Sequence, residues 1–448
     1  MGAKLAAMEN SGLFGDVRAE VQTPANPCDP APPRLRRPDR EQVLLRPCSL
    51  EELIAPEHDV RTLWAVVQQL DLSLFYVPLK ARGETPGRAA TDPQLLVALW
   101  LWAATQGEGS ARRLAKLCEE QDAYKWLCGG VSLNHHTLSD FRVDHAVALD
   151  ELFTSVLTMM MDKDLVNVKR ISQDGMRVRT SAGRSSFKRR ETLDKHLAAA
   201  QEQVRLLKLQ AEEPDNDDRS ARERAAQERA AREREERVKA ALARLPALEA
   251  IKAKHNGKKS KQPPRASMTD AQASVMKMPD GGFAPAYNVQ LSQDTESRAI
   301  VGVEVTNQGT DYEQSEPMRE QVQERSGARV EDHLVDGGFV KLEVIERAEK
   351  SGVKMYAPPK ETKARPDPYT RCEKDSDATA AWRERMGTEA AKTIYKLRAA
   401  TAETVNADLR TYRGLGRILV RGVNKVRCVA LWSALAYNLM HFGSALLS

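Results

Sequence analysis

Aromatic residues make up only 5% of this 448-residue chain, and its six cysteines include no CxxC pair. The cysteine pattern signals neither a zinc ribbon nor a disulfide framework, and a reducing cytoplasm is the natural setting. Charge of one sign is also missing: 68 Lys and Arg face 63 Asp and Glu, a formal net charge of +5. Overall composition therefore does not announce a nucleic-acid binder; only the distribution of charge could. The first thirty-odd residues are polar and Pro-rich, with no apolar core of a secretory signal. From Cys428 the chain reads CVALWSALAYNLMHFGSALLS, about the length of a bilayer span. It carries Asn438 and His441 and continues an amphipathic segment from near Arg417, so a buried C-terminal helix with no membrane partner is expected. What the chain does have is 41% hydrophobic and 29% charged residues, enough apolar material for two or three folded units.

Residues 1–47 read as a tail with a basic cluster, Arg34, Arg36, Arg37, Arg40 and Arg46. Residues 48–165 show helical periodicity, with Leu63, Val66, Val67 and Leu70 on one face and Leu95–Trp102 forming another segment. Within them Asn134–His145 resembles the second half of a helix-turn-helix, with Thr137 or Ser139 placed to cap a helix. Residues 190–212 and 219–255 are almost pure helix formers around the turn-like Pro214–Asp218, an antiparallel helical pair. A basic linker, Lys252–Arg265, follows. Strands frame this pair. Val166, Val168 and Ile171 lead to Asp174; Tyr287, Val289 and Leu291, then Val301, Val303 and Val305, alternate as a β-hairpin. His333–Val335 is a strand ending at Asp336, a helix spans about Val340–Lys350, and Val353–Ala357 is a last strand before helices from about Ala378. The order predicts a mixed α/β sheet with an inserted helical hairpin and an all-α N-terminal domain.

Three acids stand in distinct contexts. Asp174 precedes the basic segment Arg177-Val178-Arg179, Asp336 ends an apolar strand at a double glycine, and Glu403 lies in the helix YKLRAATAETVNADLR, residues 395–410. Carboxylates at strand ends beside a helix-borne glutamate can hold two hard divalent cations about 3.5–4 Å apart. Asp280, in PDGGF, echoes Asp336 but follows Pro279 without an apolar run, which makes it a turn residue. His135 and His136 point apart on a helix and have no partner at ligand spacing. Arg417, Arg421 and Lys425 share a helical stripe suited to phosphates.

The segments QDGMRVRTSAG (173–183), LVDGGF (334–339) and YKLRAATAETVNADLR resemble the three catalytic blocks of bacterial insertion-sequence transposases of the DDE class. The tail at 413–442 and the phrase SARRLAKLCEEQDAYKWLCGG (110–130) are similar to that family as well. The resemblance implies an RNase H-like catalytic domain over 166–448, interrupted at 184–266 by the helical hairpin and linker, after an N-terminal DNA-binding domain at 48–165. It implies Asp174, Asp336 and Glu403 as metal-holding catalytic acids, with two Mg²⁺ ions (Mn²⁺ as a substitute). The family's tyrosine–arginine–glutamate–lysine signature falls on Tyr395, Arg398, Glu403 and Arg410. Four residues rather than the common three separate Arg398 from Glu403, and Arg410 stands where lysine is usual. At about 100° per residue Arg410 shares the face of Glu403, whereas Arg398 falls about 140° away. Asp174 and Asp336 lie 162 positions apart, and setting 184–266 aside leaves about 80 residues, a sensible length for three strands and a helix.

The implied activity is cutting an element's ends and joining the freed 3′-hydroxyl to target DNA. Arg177, Arg179, Arg417 and Arg421 are expected on the DNA backbone, double-stranded DNA and a second copy of the chain are the expected partners, and the bacterial nucleoid is the expected setting. A metal-dependent nuclease of the same fold and a non-catalytic DNA-binding derivative are the alternatives.

Overall fold

The computed structural model describes residues 41, 47–83, 89–212, 221–256, 262–361 and 367–448. The chain divides into two units, Met1–Cys48 and Ser49–Ser448. In the first only residues 41, 47 and 48 are described, so the basic cluster at 34–46 lies outside the described residues. All that follows concerns the second.

Among the described residues a 3₁₀ helix at Leu50–Leu53 is followed by α1 (Asp59–Gln69), α2 (Ser73–Tyr76), α3 (Pro93–Thr105), α4 (Ala111–Glu120), α5 (Asp122–Cys128), α6 (His135–Asp144) and α7 (Ala146–Asp162). Local chemistry sets their starts. Asp92 accepts from Gln94 N and Pro93 takes the first helical position of α3, where the missing N–H costs nothing. For α6 the cap is Asn134, whose Oδ1 accepts from His136 N at 2.9 Å, not Thr137 or Ser139, which lie inside the helix. The helix begins earlier than expected because Asn134 already satisfies its first free donors.

Strand β1 (Arg170–Arg179) follows, then the short β2 (Phe187–Lys188), and two long helices, α8 (Arg190–Glu212) and α9 (Ala221–Asn256), packed on each other. β3 (Ala266–Ser267) pairs with β2 at their base, and a small core of Leu193, Val238, Ala241, Leu245 and Ala266 closes it. The remaining elements are β4 (Ser274–Lys277), β5 (Phe283–Asp294), β6 (Ile300–Thr306), α10 (Ser315–Ser326), β7 (Asp332–Leu334), α11 (Leu342–Lys350) and β8 (Lys354–Tyr356). Helices α12 (Asp377–Gly387), α13 (Glu389–Arg398), α14 (Thr404–Tyr412) and α15 (Val423–Leu447) complete the chain.

One mixed sheet organises the unit. Its order is β4-β5-β1-β7-β8, with β6 also on β5. β5 runs antiparallel to β1 and to β6, while β7 and β8 run parallel to β1 and to each other. Such a sheet with helices around it is compatible with an RNase H-like fold. β1 differs from its expected form. It starts only at Arg170, because Val168 adopts φ +50°, outside the extended region. It then runs on past Asp174 to Arg179, because the long β5 pairs with it from Asp294 to Ala286. Asp174 is therefore mid-strand and not at a strand end.

Helix α15 lies between the sheet and the first helices. It packs on β6 on one side and on α1, α3, α6 and α7 on the other, within one continuous apolar core. Its polar Asn438 is buried and bonds twice to one backbone unit. Oδ1 accepts from Ile300 N at 2.9 Å and Nδ2 donates to Ile300 O at 2.8 Å. Both backbone groups at the start of β6 are thereby satisfied, as burial demands. Among the described residues no helix is long and apolar enough to cross a membrane.

Candidate active site

The parallel pairing of β1 with β7 sets Arg170 beside Asp332, Ile171 beside His333 and Ser172 beside Leu334. Every pair differs by 162, the separation of Asp174 and Asp336. Asp336 follows the end of β7 by two residues, outside the paired stretch, and shares the same 162-residue offset from Asp174. Gly338 N donates to Asp336 Oδ1 at 2.7 Å and fixes that carboxylate in the turn after β7. Gly175 N donates to Asp174 Oδ1 at 2.9 Å.

The electrostatics record the proximity. Burial pushes the Asp174 carboxyl up to about 6; Arg398 opposes the rise, while Asp336 and then Asp311 add to it. Two carboxylates sharing a site resist joint ionisation.

Glu403 reaches this pair through Arg398. The Arg398 guanidinium donates Nη2 to Glu403 Oε1 at 2.8 Å and holds Nη1 3.6 Å from Asp174 Oδ2. Burial works to lower the Arg398 pKa, but Asp174, Tyr395 and Glu403 outweigh it and the net shift is upward. Burial likewise raises the Tyr395 phenol; Arg398, to which it hydrogen-bonds, opposes this, and Asp336 and Asp174 reinforce it. Tyr395, Arg398, Asp174, Asp336 and Glu403 thus form one charged cluster. Glu403 is its most open member, its side chain 55% exposed.

The expected angle of Arg398 is corrected by the helix itself. Residues Ala399–Glu403 form a π turn between α13 and α14. A π turn bonds residues five apart and absorbs one extra residue. The additional residue between Arg398 and Glu403 is accommodated there, and the arginine lies on the glutamate's face, not 140° from it. Arg410, in α14, is exposed.

Two neighbours carry little signal in the sequence. Asn406, buried one turn beyond Glu403, donates Nδ2 to Asp174 Oδ2 at 3.3 Å; its place three residues after Glu403 is the available sign. Asp311 lies behind β1, on the face opposite Asp174. Its Oδ1 accepts from Asn288 Nδ2 and Gln290 Nε2, both at 2.7 Å, and its Oδ2 from Arg177 at 3.2 Å. Gly175 makes room for that carboxylate: a Cβ there would collide with it and stand 2.5 Å from Gln290 Nε2. Gly175→Ala is therefore expected to cost about 1–3 kcal/mol of stability by overpacking a clamped polar cluster, measured as a lowered urea midpoint; an unchanged midpoint would remove Asp311 from the support of β1.

The remaining basic residues sit as follows. Arg177 is committed to Asp311 and to Gly309 O. Arg179 pairs with Asp280 at 2.6 Å, with both side chains largely exposed, so Asp280 stands apart from the cluster. Ile418 N donates to Arg179 O at 2.8 Å, and Arg179 bridges to Arg417, which ties the segment before α15 to the end of β1. Arg417 and Arg421 are exposed.

Among the described residues no group of three or more His, Cys, Asp or Glu side chains stands ready to hold a metal ion. The donors at the cluster are nonetheless hard carboxylate oxygens, the chemistry a Mg²⁺-type cation takes. Burial is the main cause that lifts Asp174, with Asp336 adding to it, and a divalent cation favours the ionised form against both. The residues fit such an ion on those two grounds, with Arg398 as the cation now between Asp174 and Glu403.

An aspartate in β1, another just past the end of β7, and a glutamate on a late helix that an arginine joins to the first make up the cluster. Residues 250–439 match the family model of the transposase DDE domain, a span that contains Asp336 and Glu403 and begins after Asp174. Residues 48–144 match a second family model, described as a transposase domain. The chain belongs to the insertion-sequence transposases of the DDE class. No curated protein and no solved structure matches it. Membership implies DNA as substrate, and transposases of this class typically use divalent metal ions.

Proposed function

We propose that this transposase cuts the ends of an insertion sequence and joins the freed 3′-hydroxyl to target DNA, with Asp174, Asp336 and Glu403 as its catalytic acids. The observation that carries the reading is the shared 162-residue offset of the β1–β7 register and of the two aspartates, with Arg398 linking Asp174 to Glu403.

Asp174 and Asp336 are the residues to hold a divalent cation, with Glu403 joining them once Arg398 lets it go. A divalent cation held there would supply activation of the attacking oxygen and neutralisation of charge on the scissile phosphate. The protein's own part is positioning. Asn406 and Gly175 N restrain both oxygens of Asp174, and Gly338 N restrains Asp336. Arg398, once released from Glu403, and Tyr395 would supply donors to a phosphate oxygen, and Arg410 on the following turns would meet the adjoining backbone. The α/β part is read as an RNase H-like domain over 166–448, the α8–α9 pair as an insertion at 184–266, and the helices at 48–165 as the part that recognises the ends. Two ends must be held together, so at least a homodimer on double-stranded DNA in the bacterial nucleoid is expected.

The test is strand transfer. A duplex ending in the element's terminal sequence with a free 3′-hydroxyl is incubated with supercoiled plasmid and Mg²⁺ or Mn²⁺. Covalent joining that depends on the cation is expected. Nicking without joining would instead support a nuclease of the same fold, and no reaction with either cation would support a non-catalytic DNA binder.

A further inference from the structure

At the base of the α8–α9 pair a cavity of about 210 Å³ is lined by Arg234, Arg237, Val238, Met268, Thr269 and Arg421. Among the described residues no carboxylate lines it. The side chains of Arg234 and Arg421 make no hydrogen bond or ion pair among the described residues. Arg237 reaches only Glu233, at 3.4 Å and largely in solvent, a contact worth little.

Three uncompensated guanidinium groups stay together only if the scaffold holds them, and here it does so from both sides. On α9, Arg234 and Arg237 share a face three residues apart, and the next residue, Val238, is buried in the small core with Leu193, Ala241 and Leu245. Opposite them, Arg421 precedes Gly422, whose N–H donates to Tyr287 Oη at 3.2 Å and Asp270 Oδ2 at 3.4 Å. Val423 N donates to Gln272 Oε1 at 2.7 Å, and Tyr287 donates to the Asp270 carboxylate at 2.8 Å. The segment from Ala266 to Gln272 thus ties the base of the helical pair to the start of α15, and the arginines converge across it. A concave triad of guanidiniums on anchored backbone, with no acid in its lining, is suited to a tetrahedral dianion or a phosphodiester.

We propose that Arg234, Arg237 and Arg421 form a clamp for a backbone phosphate of duplex DNA, away from the scissile phosphate. The proposal rests on the function given above. Its place follows from the contacts: Gly422, next to Arg421, bonds Tyr287, which pairs with Val178, four residues along β1 from Asp174, roughly 13 Å. At about 3.4 Å per base pair the clamped phosphate is on the order of four base pairs from the cut.

The test uses the full chain and a labelled duplex carrying the terminal sequence, titrated over a range of salt. The triple variant R234Q/R237Q/R421Q is expected to bind about tenfold more weakly, with its log K versus log[salt] slope reduced by about 1, as for one lost phosphate contact. Thr269→Glu, which puts a carboxylate into the cavity, is expected to weaken binding similarly. R234K/R237K/R421K is expected to keep most of the slope. Hydroxyl-radical protection at one backbone stretch away from the cut is expected to vanish in the triple Gln variant and persist in Asp174→Ala. A triple variant with the parent's affinity and slope would overturn the clamp while leaving cleavage and joining by the parent untouched. A parent that binds with the full slope but does not join DNA would sink the catalytic reading and leave the clamp. Stabilisation by inorganic phosphate that the triple variant loses, with unchanged duplex binding, would overturn DNA as the occupant.

Discussion

Asp174→Ala, Asp336→Ala and Glu403→Ala are each expected to reduce strand transfer by roughly 10³-fold or more, about 4 kcal/mol of transition-state stabilisation. The three losses have different structural origins. Asp174, in β1, and Asp336, just past the end of β7, interact electrostatically, so removing either takes away half of the carboxylate pair. Glu403 is 55% exposed and bonded to Arg398, so its removal leaves the fold intact and any loss is chemical. Asp280, an exposed turn residue paired only with Arg179, is the matched control, and Asp280→Ala is expected to join DNA within about twofold of the parent. Full activity in any of the three alanine variants would remove that residue from the site. Arg398→Ala is informative beside them, because it frees Asp174 and Glu403 from their shared cation while leaving all three acids in place.

The second large effect is on stability, and its sign is opposite to that on activity. The Asp174 carboxyl is raised from 3.8 to about 6, so the folded chain holds the proton more tightly than the unfolded chain. That contribution is fully present below about pH 4 and is lost as pH rises through about 6. At roughly 1.4 kcal/mol per unit, the ionised carboxylate costs the fold up to about 3 kcal/mol at neutral pH. Asp174→Asn, which keeps the shape and removes the charge, is therefore expected to resist urea better than the parent at pH 7.5. The two are expected to converge near pH 4. An equal difference at both pH values would mean that Asp174 is not electrostatically strained. Active sites commonly carry such strain, and the gain comes with lost function.

Much of this is legible in the sequence, and what is hidden has physical causes. The alternation of Tyr287–Leu291 and Val301–Val305 announces β5 and β6, because period-2 burial is local information. Asp336 is readable as an acid at the end of an apolar strand. The start of β1 is not, since the left-handed turn at Val168 has no sequence signal in a β-branched residue. Nor is the π turn at Ala399–Glu403, where the additional residue is countable but its accommodation depends on the packing of α13 and α14. Asp311 is hidden because its partners Asn288, Gln290 and Arg177 come from two strands, brought together only by antiparallel pairing. Polar residues alternating along β5 are the mark of a buried hydrogen-bonded face. The cluster at Arg234, Arg237 and Arg421 is equally invisible, since arginines in a charge-rich helix look like a solvated face until the chain folds back on them.

Crystals of the protein soaked in Mn²⁺ and measured at the manganese absorption edge test the central claim most directly. Expected is an anomalous peak with oxygens of both Asp174 and Asp336 in its coordination shell, at distances near 2.0–2.6 Å, and with Arg398 turned from Glu403. Manganese bound only elsewhere, with the two aspartates apart and Arg398 still bridging Asp174 to Glu403, would contradict it.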